Sequence, residues 1–281
     1  MPELPEVETA RRGWSALVAG AVVSNVAVHD ARVLKGQPPG ELVGRLAGSR
    51  LGLADRRGKL LLVSVVDAAG CDWTLCIHFM MRGGLRLREA LDPPGRYDRV
   101  SLALSDGRSL HYEDAWGWGG FRVIAPGDAL RAPALVAMGP EPLDASWNAT
   151  VLGKALRGRG GAVKSVLLDQ SVVAGVGNIY ADESLHRAGI DPRESASSLG
   201  DDRVGRLASA IRDVLAEAVA AGGSVGDYTD LSGNPGRYVP RVYDRAGSPC
   251  GTCSTVLMRT KVGGRGTTYC PRCQAGPGDG K

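Results

Sequence analysis

The 281-residue sequence contains no apolar run approaching the ~20 residues that a bilayer-crossing helix needs; the longest lies around Leu60–Val66. A helical membrane span is excluded. Nor does the chain open with the basic-then-apolar pattern of a signal peptide. Met1-Pro2-Glu3-Leu4-Pro5-Glu6 is acidic and broken by proline, so the expected location is the cytosol. In a reducing compartment the six cysteines read as thiols or metal ligands before disulfides. Internal repeats and low-complexity tracts are also absent, and 43% apolar residues suffice for one large core or two ordinary ones, which excludes a disordered chain. The excess of positive charge is small, 34 basic against 30 acidic residues, so composition permits a polyanionic partner without demanding one.

Periodicity divides the chain. Near the start, Val7, Ala10, Trp14, Leu17 and Val18 form one helical stripe, with Pro5 in the first turn and Glu6 and Glu8 at the positive end of the dipole; Met1–Leu4 are expected to precede this helix as a free arm. From Ala21 to about Val123 the pattern is of short strands, at Val22–Val28, Lys59–Val66, Trp73–Met80, Arg99–Leu104 and Ser109–Glu113, the last two joined through a Ser105-Asp106-Gly107-Arg108 turn. Two packed sheets or a flattened barrel follow. Four prolines, at 126, 133, 140 and 142, mark a linker, after which helical spacing takes over until Gly222-Gly223. The expected organisation is a β domain over 1–125, a linker over 126–145, a helical domain over 146–235 and a cysteine-bearing segment over 236–281.

Cys250 and Cys253 are two residues apart, as are Cys270 and Cys273, with sixteen residues between the pairs. Two such knuckles place four thiolates on one tetrahedral Zn(II) and leave no open position for a reacting water, so the predicted site is structural. Cys71 and Cys76 read as ordinary small core or edge residues. Around the quartet, eight Lys and Arg residues face only Asp244 and Asp279, a balance suited to phosphates. A solvated basic surface on a protein-binding ribbon is the competing reading. Between two helical stretches, Ala174-Gly175-Val176-Gly177-Asn178 lets the backbone approach a ligand closely, and Asn178 is expected to cap the following helix, whose N-terminus attracts anions. Read locally, a plain helical hairpin with a capped second helix is the favoured reading.

If Met1 is removed, the chain begins with the secondary amine of Pro2. An α-amino group has a reference pKa of about 7.7–8.0, so a useful fraction is neutral and nucleophilic near pH 7. Attack on a sugar C1′ gives an iminium that drains electrons from C2′ and makes elimination of the adjoining phosphates easy. Glu3 stands beside it as a proton donor or acceptor, and Glu6 lies one helical turn on. Taken alone, an initiator methionine with a flexible tail explains Pro2 as well.

Three distant motifs change that balance. Met1-Pro2-Glu3-Leu4-Pro5-Glu6-Val7-Glu8-Thr9, the turn Gly175-Val176-Gly177-Asn178-Ile179-Tyr180-Ala181-Asp182-Glu183 and the terminal cysteine quartet together resemble the formamidopyrimidine-DNA glycosylase/endonuclease VIII family, in the family's order and across nearly the whole chain. The nonapeptide, Gly139-Pro140-Glu141-Pro142-Leu143 and the complete finger are most similar to the formamidopyrimidine branch. The resemblance implies an α+β multidomain fold: an N-terminal helix with a two-sheet β-sandwich, a helix–two-turn–helix domain and a C-terminal zinc finger, with DNA in the cleft between the halves. It implies a monomeric bifunctional glycosylase and lyase that flips a damaged base from duplex DNA, cuts its N-glycosidic bond and nicks the strand by β,δ-elimination. One structural Zn(II) and no organic cofactor are implied.

Residue by residue, Pro2 is similar to the family's Schiff-base nucleophile, Glu3 to its catalytic acid and Glu6 to a supporting carboxylate. Lys59 resembles the lysine that binds phosphate and assists β-elimination. Asn178 and Arg265 resemble the phosphate-gripping pair, with Arg265 also implicated in δ-elimination, and Arg159 falls in the basic stretch before the helix pair. Met81 matches the methionine that fills the hole a flipped base leaves, a task suited to an apolar side chain. Without the surrounding motifs, Lys59 would read as a strand-edge lysine and Met81 as core.

The chain departs from the family pattern in the same region. Where the family usually has Asp-Pro-Arg-Arg-Phe-Gly, this sequence reads Asp114-Ala115-Trp116-Gly117-Trp118-Gly119. Trp118 can replace the phenylalanine as a wedge, whereas Trp116 cannot make the bidentate hydrogen bonds that recognise an orphaned cytosine, a contact of ~1–3 kcal/mol. Met80 occupies a common glycine position, and Arg82 follows it as a possible stand-in cation. Ser232-Gly233-Asn234-Pro235-Gly236-Arg237-Tyr238 resembles the family's mobile loop over the flipped base. The expected substrates are oxidised purines, formamidopyrimidines and 8-oxoguanine. Two rivals remain open: an endonuclease VIII-like or specialised paralogue acting on oxidised pyrimidines, abasic sites or bulky adducts, and a non-catalytic DNA-binding zinc protein, which would have no use for Pro2, Glu3 and Lys59.

Overall fold

A computed structural model describes residues 1–89, 92–125, 127–128, 136–226 and 228–275. These form two compact units, one of Met1–Val136 with Ala221–Arg237 and the other of Ala137–Ala220 with Tyr238–Lys281.

The first unit opens with α1 (Leu4–Leu17). Then come β1 (Val23–Val28), α2 (Pro39–Leu46), β2 (Arg50–Arg57), β3 (Leu60–Val66), β4 (Asp72–His78), β5 (Gly83–Glu89), β6 (Asp98–Leu104), β7 (Arg108–Asp114) and β8 (Gly120–Ile124). The strands make two antiparallel sheets, ordered β1-β6-β7-β5 and β2-β3-β4-β8, which is the two-layer arrangement the strand pattern predicts. Along β6, buried and part-exposed positions alternate strictly, as a strand with one face on the core requires. The core joins Val100, Leu102 and Leu104 of β6 to Leu61, Val63 and Val65 of β3, and takes in Val7, Ala10 and Trp14 of α1. Each large apolar side chain buried there contributes about 1.5–3 kcal/mol. Trp14 also donates its indole N–H to the Gly52 carbonyl, 3.1 Å away, locking α1 to β2.

Two sequence expectations are corrected in this unit. Residues 2–4 are not a free arm, because Pro2, Glu3 and Leu4 are all buried and Glu3 is the N-cap of α1. The stretch 221–235, expected with the helices, belongs to the sandwich: Leu231 is part of its core, lies against Gly13 of α1, and accepts a hydrogen bond at its carbonyl from the Leu87 N–H at 2.9 Å.

The second unit holds α3 (Ala149–Leu156), α4 (Val163–Leu168), α5 (Asn178–Ala188) and α6 (Asp201–Ala220), then the hairpin β9 (Met258–Val262) and β10 (Arg265–Tyr269). Gly189 ends α5 in the left-handed conformation (φ 66°), the C-terminal stop that glycine supplies most readily. Part of the expected linker, residues 126 and 129–135, lies outside the described residues. Its later portion packs within the second unit, where Gly139 donates to the Gln170 carbonyl at 2.8 Å and Pro140 accepts from the Ala174 N–H at 3.0 Å.

Candidate DNA-lesion site and zinc centre

The start of α1 is a reciprocal capping box. The Glu3 carboxylate accepts from the Glu6 N–H, while Glu6 Oε2 accepts from the Glu3 N–H at 2.9 Å. The other Glu6 oxygen, Oε1, accepts from the Ser224 N–H at 2.9 Å and from the Ser224 hydroxyl at 3.2 Å. Both carboxylates are 1% exposed. Gly223 (φ 96°) passes so close that a Cβ there would lie 3.0 Å from Glu6 Oε1, so this approach requires glycine. Pro2 precedes the box and is buried beside it, which brings the predicted nucleophile position and two carboxylates into one dry corner.

A second link runs from α1 to Lys59. Glu8 accepts from Arg11, Arg12 and Arg56, and the Arg56 Nη1 donates to the Gly58 carbonyl at 3.0 Å. Burial raises the Glu8 pKa, but the three arginines outweigh it and hold the carboxyl below its ordinary value. Gly58 (φ 56°) and Lys59 make the two-residue turn between β2 and β3, so the helix that carries Glu3 and Glu6 also braces the lysine turn. Leu60, the next residue, pairs with His78 of β4. Burial first, and then the charges of Lys59 and Lys35, push the His78 pKa down to about 4, leaving it neutral near pH 7. Its Nδ1 accepts the Met80 N–H at 3.0 Å, which places the ring proton on Nε2.

Met80 and Met81 occupy the tight connection from β4 to β5. Met80 is left-handed (φ 49°), a strained state for methionine, and Gly83 is obligatory because a Cβ there would strike the Phe79 backbone. Met81 is half-buried and Met80 is exposed. Across from them, Asp114 fixes the Trp loop by accepting from the Trp116 N–H at 3.0 Å and the Gly119 N–H at 2.7 Å, while Arg99 holds the Asp114 carbonyl at 2.7 Å. No side chain fits at Gly119, where a Cβ would overlap the Tyr112 hydroxyl. Trp116 and Trp118 stand 43% and 55% exposed with ring centroids 4.7 Å apart, and the Arg82 guanidinium lies 5.9 Å from the Trp116 ring. Residues 229–235, at the start of the expected mobile loop, form a tight turn centred on Asp230, which accepts from the Ser232 and Asn234 N–H groups, both at 2.9 Å.

In the second unit Asn178 does not cap α5. It is the first helical residue behind the N-cap Gly177, and its Nδ2 instead donates to the Gly266 carbonyl at 3.1 Å, tying the helix start to β10; its Oδ1 is buried without a hydrogen bond. Arg265, exposed at the head of β10, follows the turn Gly263-Gly264, both left-handed (φ 55° and 75°), as a two-residue hairpin demands. Beneath it, Lys164 is fully buried: its Nζ lies 2.7 Å from Asp182 Oδ1 and donates to the Gly266 carbonyl at 2.9 Å and the Thr267 hydroxyl at 2.8 Å. Asp182 accepts from the Thr268 N–H at 3.0 Å, so one buried ion pair joins α4, α5 and β10. Arg159 bonds Asp169 at 2.8 Å on the surface.

The four cysteine sulfurs lie within 4.8 Å of one another, with Cys253 to Cys270 at 3.4 Å and Cys250 to Cys273 at 3.9 Å. Tetrahedral Zn–S bonds of about 2.3 Å require S···S edges near ~3.8 Å, and the quartet matches that cage. His186, near the end of α5, touches Cys250 Sγ at 3.4 Å. Family models match the chain in three places: the formamidopyrimidine-DNA glycosylase N-terminal domain over residues 1–121, its H2TH domain over 138–229, and the zinc finger found in FPG and IleRS over 247–276. The chain belongs to the formamidopyrimidine-DNA glycosylase family. Curated formamidopyrimidine-DNA glycosylases from Halorhodospira halophila and Methylococcus capsulatus are each 42% identical, over 98% of this chain and 100% of theirs. A Lactococcus lactis FPG mutant bound to Fapy-dG DNA superposes with a TM-score of 0.91 at 30% identity, and MutM bound to carbocyclic 8-oxo-G DNA with 0.90 at 31%, each covering 98% of this chain and 100% of the other. In this formamidopyrimidine-DNA glycosylase family member the quartet is the ligand set of one structural zinc.

Sequence reasoning missed Ser224, Arg56, Lys164 and Asp182 as builders of the site. Asp182 sits inside the quoted Gly175–Glu183 motif and Arg56 three residues before Lys59, yet each finds its ion-pair partner on another element. Cys71 is exposed and Cys76 buried, matching their reading as an edge and a core residue.

Proposed function

We propose that the chain is a base-excision repair enzyme that removes oxidised purines from duplex DNA and then nicks the strand. The observation that carries this reading is the buried corner at the head of α1, where Pro2 lies beside the Glu3–Glu6 box. With Met1 removed, the Pro2 nitrogen attacks C1′ as the N-glycosidic bond breaks, and Glu3 handles the proton balance at the sugar and leaving base. The resulting iminium draws electrons from C2′; loss of a C2′ proton expels the 3′-phosphate, and a second elimination expels the 5′-phosphate. Glu6 holds the Glu3 backbone, Lys59 engages phosphate on a turn braced through Arg56 and Glu8, and Asn178 and Arg265, both in the second unit, grip the DNA backbone. Zinc supplies structure alone, by closing the knuckles below the β9–β10 hairpin.

Borohydride trapping tests this reading, using duplexes that carry 8-oxoguanine, formamidopyrimidine, thymine glycol or an abasic site. A covalent adduct is expected, and Pro2→Gly abolishes it. No adduct on abasic DNA, or mass spectrometry showing Met1 retained on most of an active preparation, overturns the mechanism. Trp116 in place of a family arginine favours a second possibility on lesion choice, activity toward oxidised pyrimidines, and a thymine glycol adduct formed faster than the purine ones would establish it.

A further inference from the structure

Residues 221–237 return to the first unit as a strap on α1. Its neck is closed by the Arg237 N–H, which donates to the Ala221 carbonyl at 2.9 Å, and by Gly236, where a Cβ would lie 2.4 Å from the Gly223 carbonyl oxygen. The strap meets α1 twice. Ser224 holds Glu6 near the helix start, and the buried Leu231 sits on Gly13 farther along, where a Cβ would lie 3.3 Å from Leu231 Cδ1. Glycine weakens a helix interior, and the Leu231 contact accounts for its presence at position 13. Between these two contacts in the chain, β5 takes hold of the strap. Arg86, half-buried, donates through Nη1 to the Asp230 carbonyl at 3.1 Å and through Nη2 to the Thr229 hydroxyl. Beside it, the Leu87 N–H donates to the Leu231 carbonyl at 2.9 Å.

The strap is stiff where Arg86 grips it. Thr229 bridges to Pro235, the Asp230 N–H donates to the Asn234 carbonyl at 2.9 Å, and the Asp230 carboxylate closes the turn through Ser232 and Asn234. A turn tied this closely passes a displacement of its anchor on to Leu231 and the rest of the strap instead of absorbing it. Both acceptors of Arg86 are uncharged, so the guanidinium serves here through its planar fork of donors, which lysine lacks. We propose that Arg86 is a positioning residue for the acidic corner: by buckling the strap to β5 it sets where Ser224 and Leu231 bear on α1, and hence where the Glu3–Glu6 box stands. The inference rests on the chemistry proposed above for that box. Groups that move protons must be held to within about 0.5 Å, and a misplacement of about 1 Å costs on the order of a hundredfold in rate, so a buckle remote from the reacting atoms has a measurable effect.

The test compares full-length, zinc-loaded wild type, Arg86→Lys and Arg86→Met on the lesion duplex that wild type cleaves fastest. Single-turnover excision should slow on the order of tenfold in Arg86→Met and less in Arg86→Lys, which keeps one of the two hydrogen bonds. Affinity for a duplex carrying a tetrahydrofuran abasic analogue, which resists cleavage, should change less than about threefold, because a positioning residue acts on the reaction and not on binding. In a Glu6→Gln background, where the corner is already loosened, adding Arg86→Met should slow excision less than about twofold. Amide hydrogen exchange supplies a readout independent of turnover: Arg86→Met should quicken exchange over residues 3–14 and 221–237 and leave β1 and β6 unchanged. Should Arg86→Met fail to fold, Arg86→Lys carries the same comparisons. No slowing of excision, an affinity loss that matches the rate loss, equal slowing in both backgrounds, or unchanged exchange at the start of α1 each overturns the buckle. Borohydride trapping of wild type on an abasic duplex reports separately: no adduct sinks the proposed function and leaves exchange to decide the strap, whereas a normal adduct beside unchanged exchange in the variant sinks only the role of Arg86.

Discussion

The two units fix their functional groups by different physical means. In the first, Pro2, Glu3, Glu6 and Lys59 hang on a large apolar core in which Trp14, Phe79, Tyr112 and Phe121 are almost fully buried. Polar links such as Glu8–Arg56 and Glu6–Ser224 then adjust positions that packing has already set. In the second, the ribbon's own buried apolar cluster among the described residues is Val242, Cys250, Leu257 and Cys270, two of them metal ligands. Arg265 and the Asn178 contact therefore depend on the zinc cage and on the buried Lys164–Asp182 pair. The proposed proton chemistry thus sits on a scaffold set mainly by apolar packing, whereas the proposed phosphate grip sits on a scaffold that depends on the zinc cage and one buried ion pair.

Removing zinc breaks this contrast most severely. A structural zinc contributes about 10–16 kcal/mol to a small metal-built domain, so chelation is expected to unfold the ribbon and abolish high-affinity DNA binding while the sandwich keeps its far-ultraviolet signature and main thermal transition. Circular dichroism and DNA titration on one chelated sample measure both; simultaneous collapse of the two units would show that the contrast is wrong.

Lys164→Met probes the second weak point. It leaves Asp182 buried without its cation and should cost about 3–5 kcal/mol. Burial raises the Asp182 pKa to about 6 even against the opposing pull of Lys164. Because the folded-state value lies above the ordinary 3.8, ionising this group penalises the fold as pH rises from about 3.8 through 6 and above. The variant's deficit should therefore be larger at pH 8 than at pH 5 in thermal denaturation, and a deficit that does not change with pH would remove Asp182 from the explanation.

The smallest effect belongs to the sandwich. His78 has its pKa lowered from 6.5 to about 4, so the unfolded chain takes up this proton first, and stability falls as pH drops from about 6.5 toward 4. The contribution reaches at most on the order of 3 kcal/mol. His78→Gln should flatten that portion of the stability–pH curve, and a curve parallel to wild type would contradict it.

Where local pattern and tertiary packing agree, the sequence was readable. The α1 stripe, the strictly alternating β6, the Gly189 stop and the paired cysteines all declare themselves within one short window. Four elements did not. Both β2 and β5 carry arginines on strands that also contain glycine, and Arg86 and Arg88 find their partners, Thr229 and Asp98, on other segments. The short α2 buries only Leu42 and Leu46, and β8 emerges from a glycine-rich loop. The candidate site follows the same rule. The cysteines stood out by type and spacing and Pro2, Glu3 and Lys59 through the resemblance, whereas Ser224, Arg56 and Lys164 acquire meaning only from partners on other segments. Asn178 was misplaced by one residue because Gly177 provides the cap without any side chain.

The return of residues 221–237 to the first unit also bears on how the protein is made. A ribosome has released every strand of the sandwich by Ile124, yet Ser224, which holds Glu6, and Leu231, which covers Gly13, emerge only about a hundred residues later. The acidic corner therefore stays unfinished throughout synthesis of the helical segment, and a nascent or prematurely terminated chain presents its amino terminus to DNA without the clamp that sets the carboxylates.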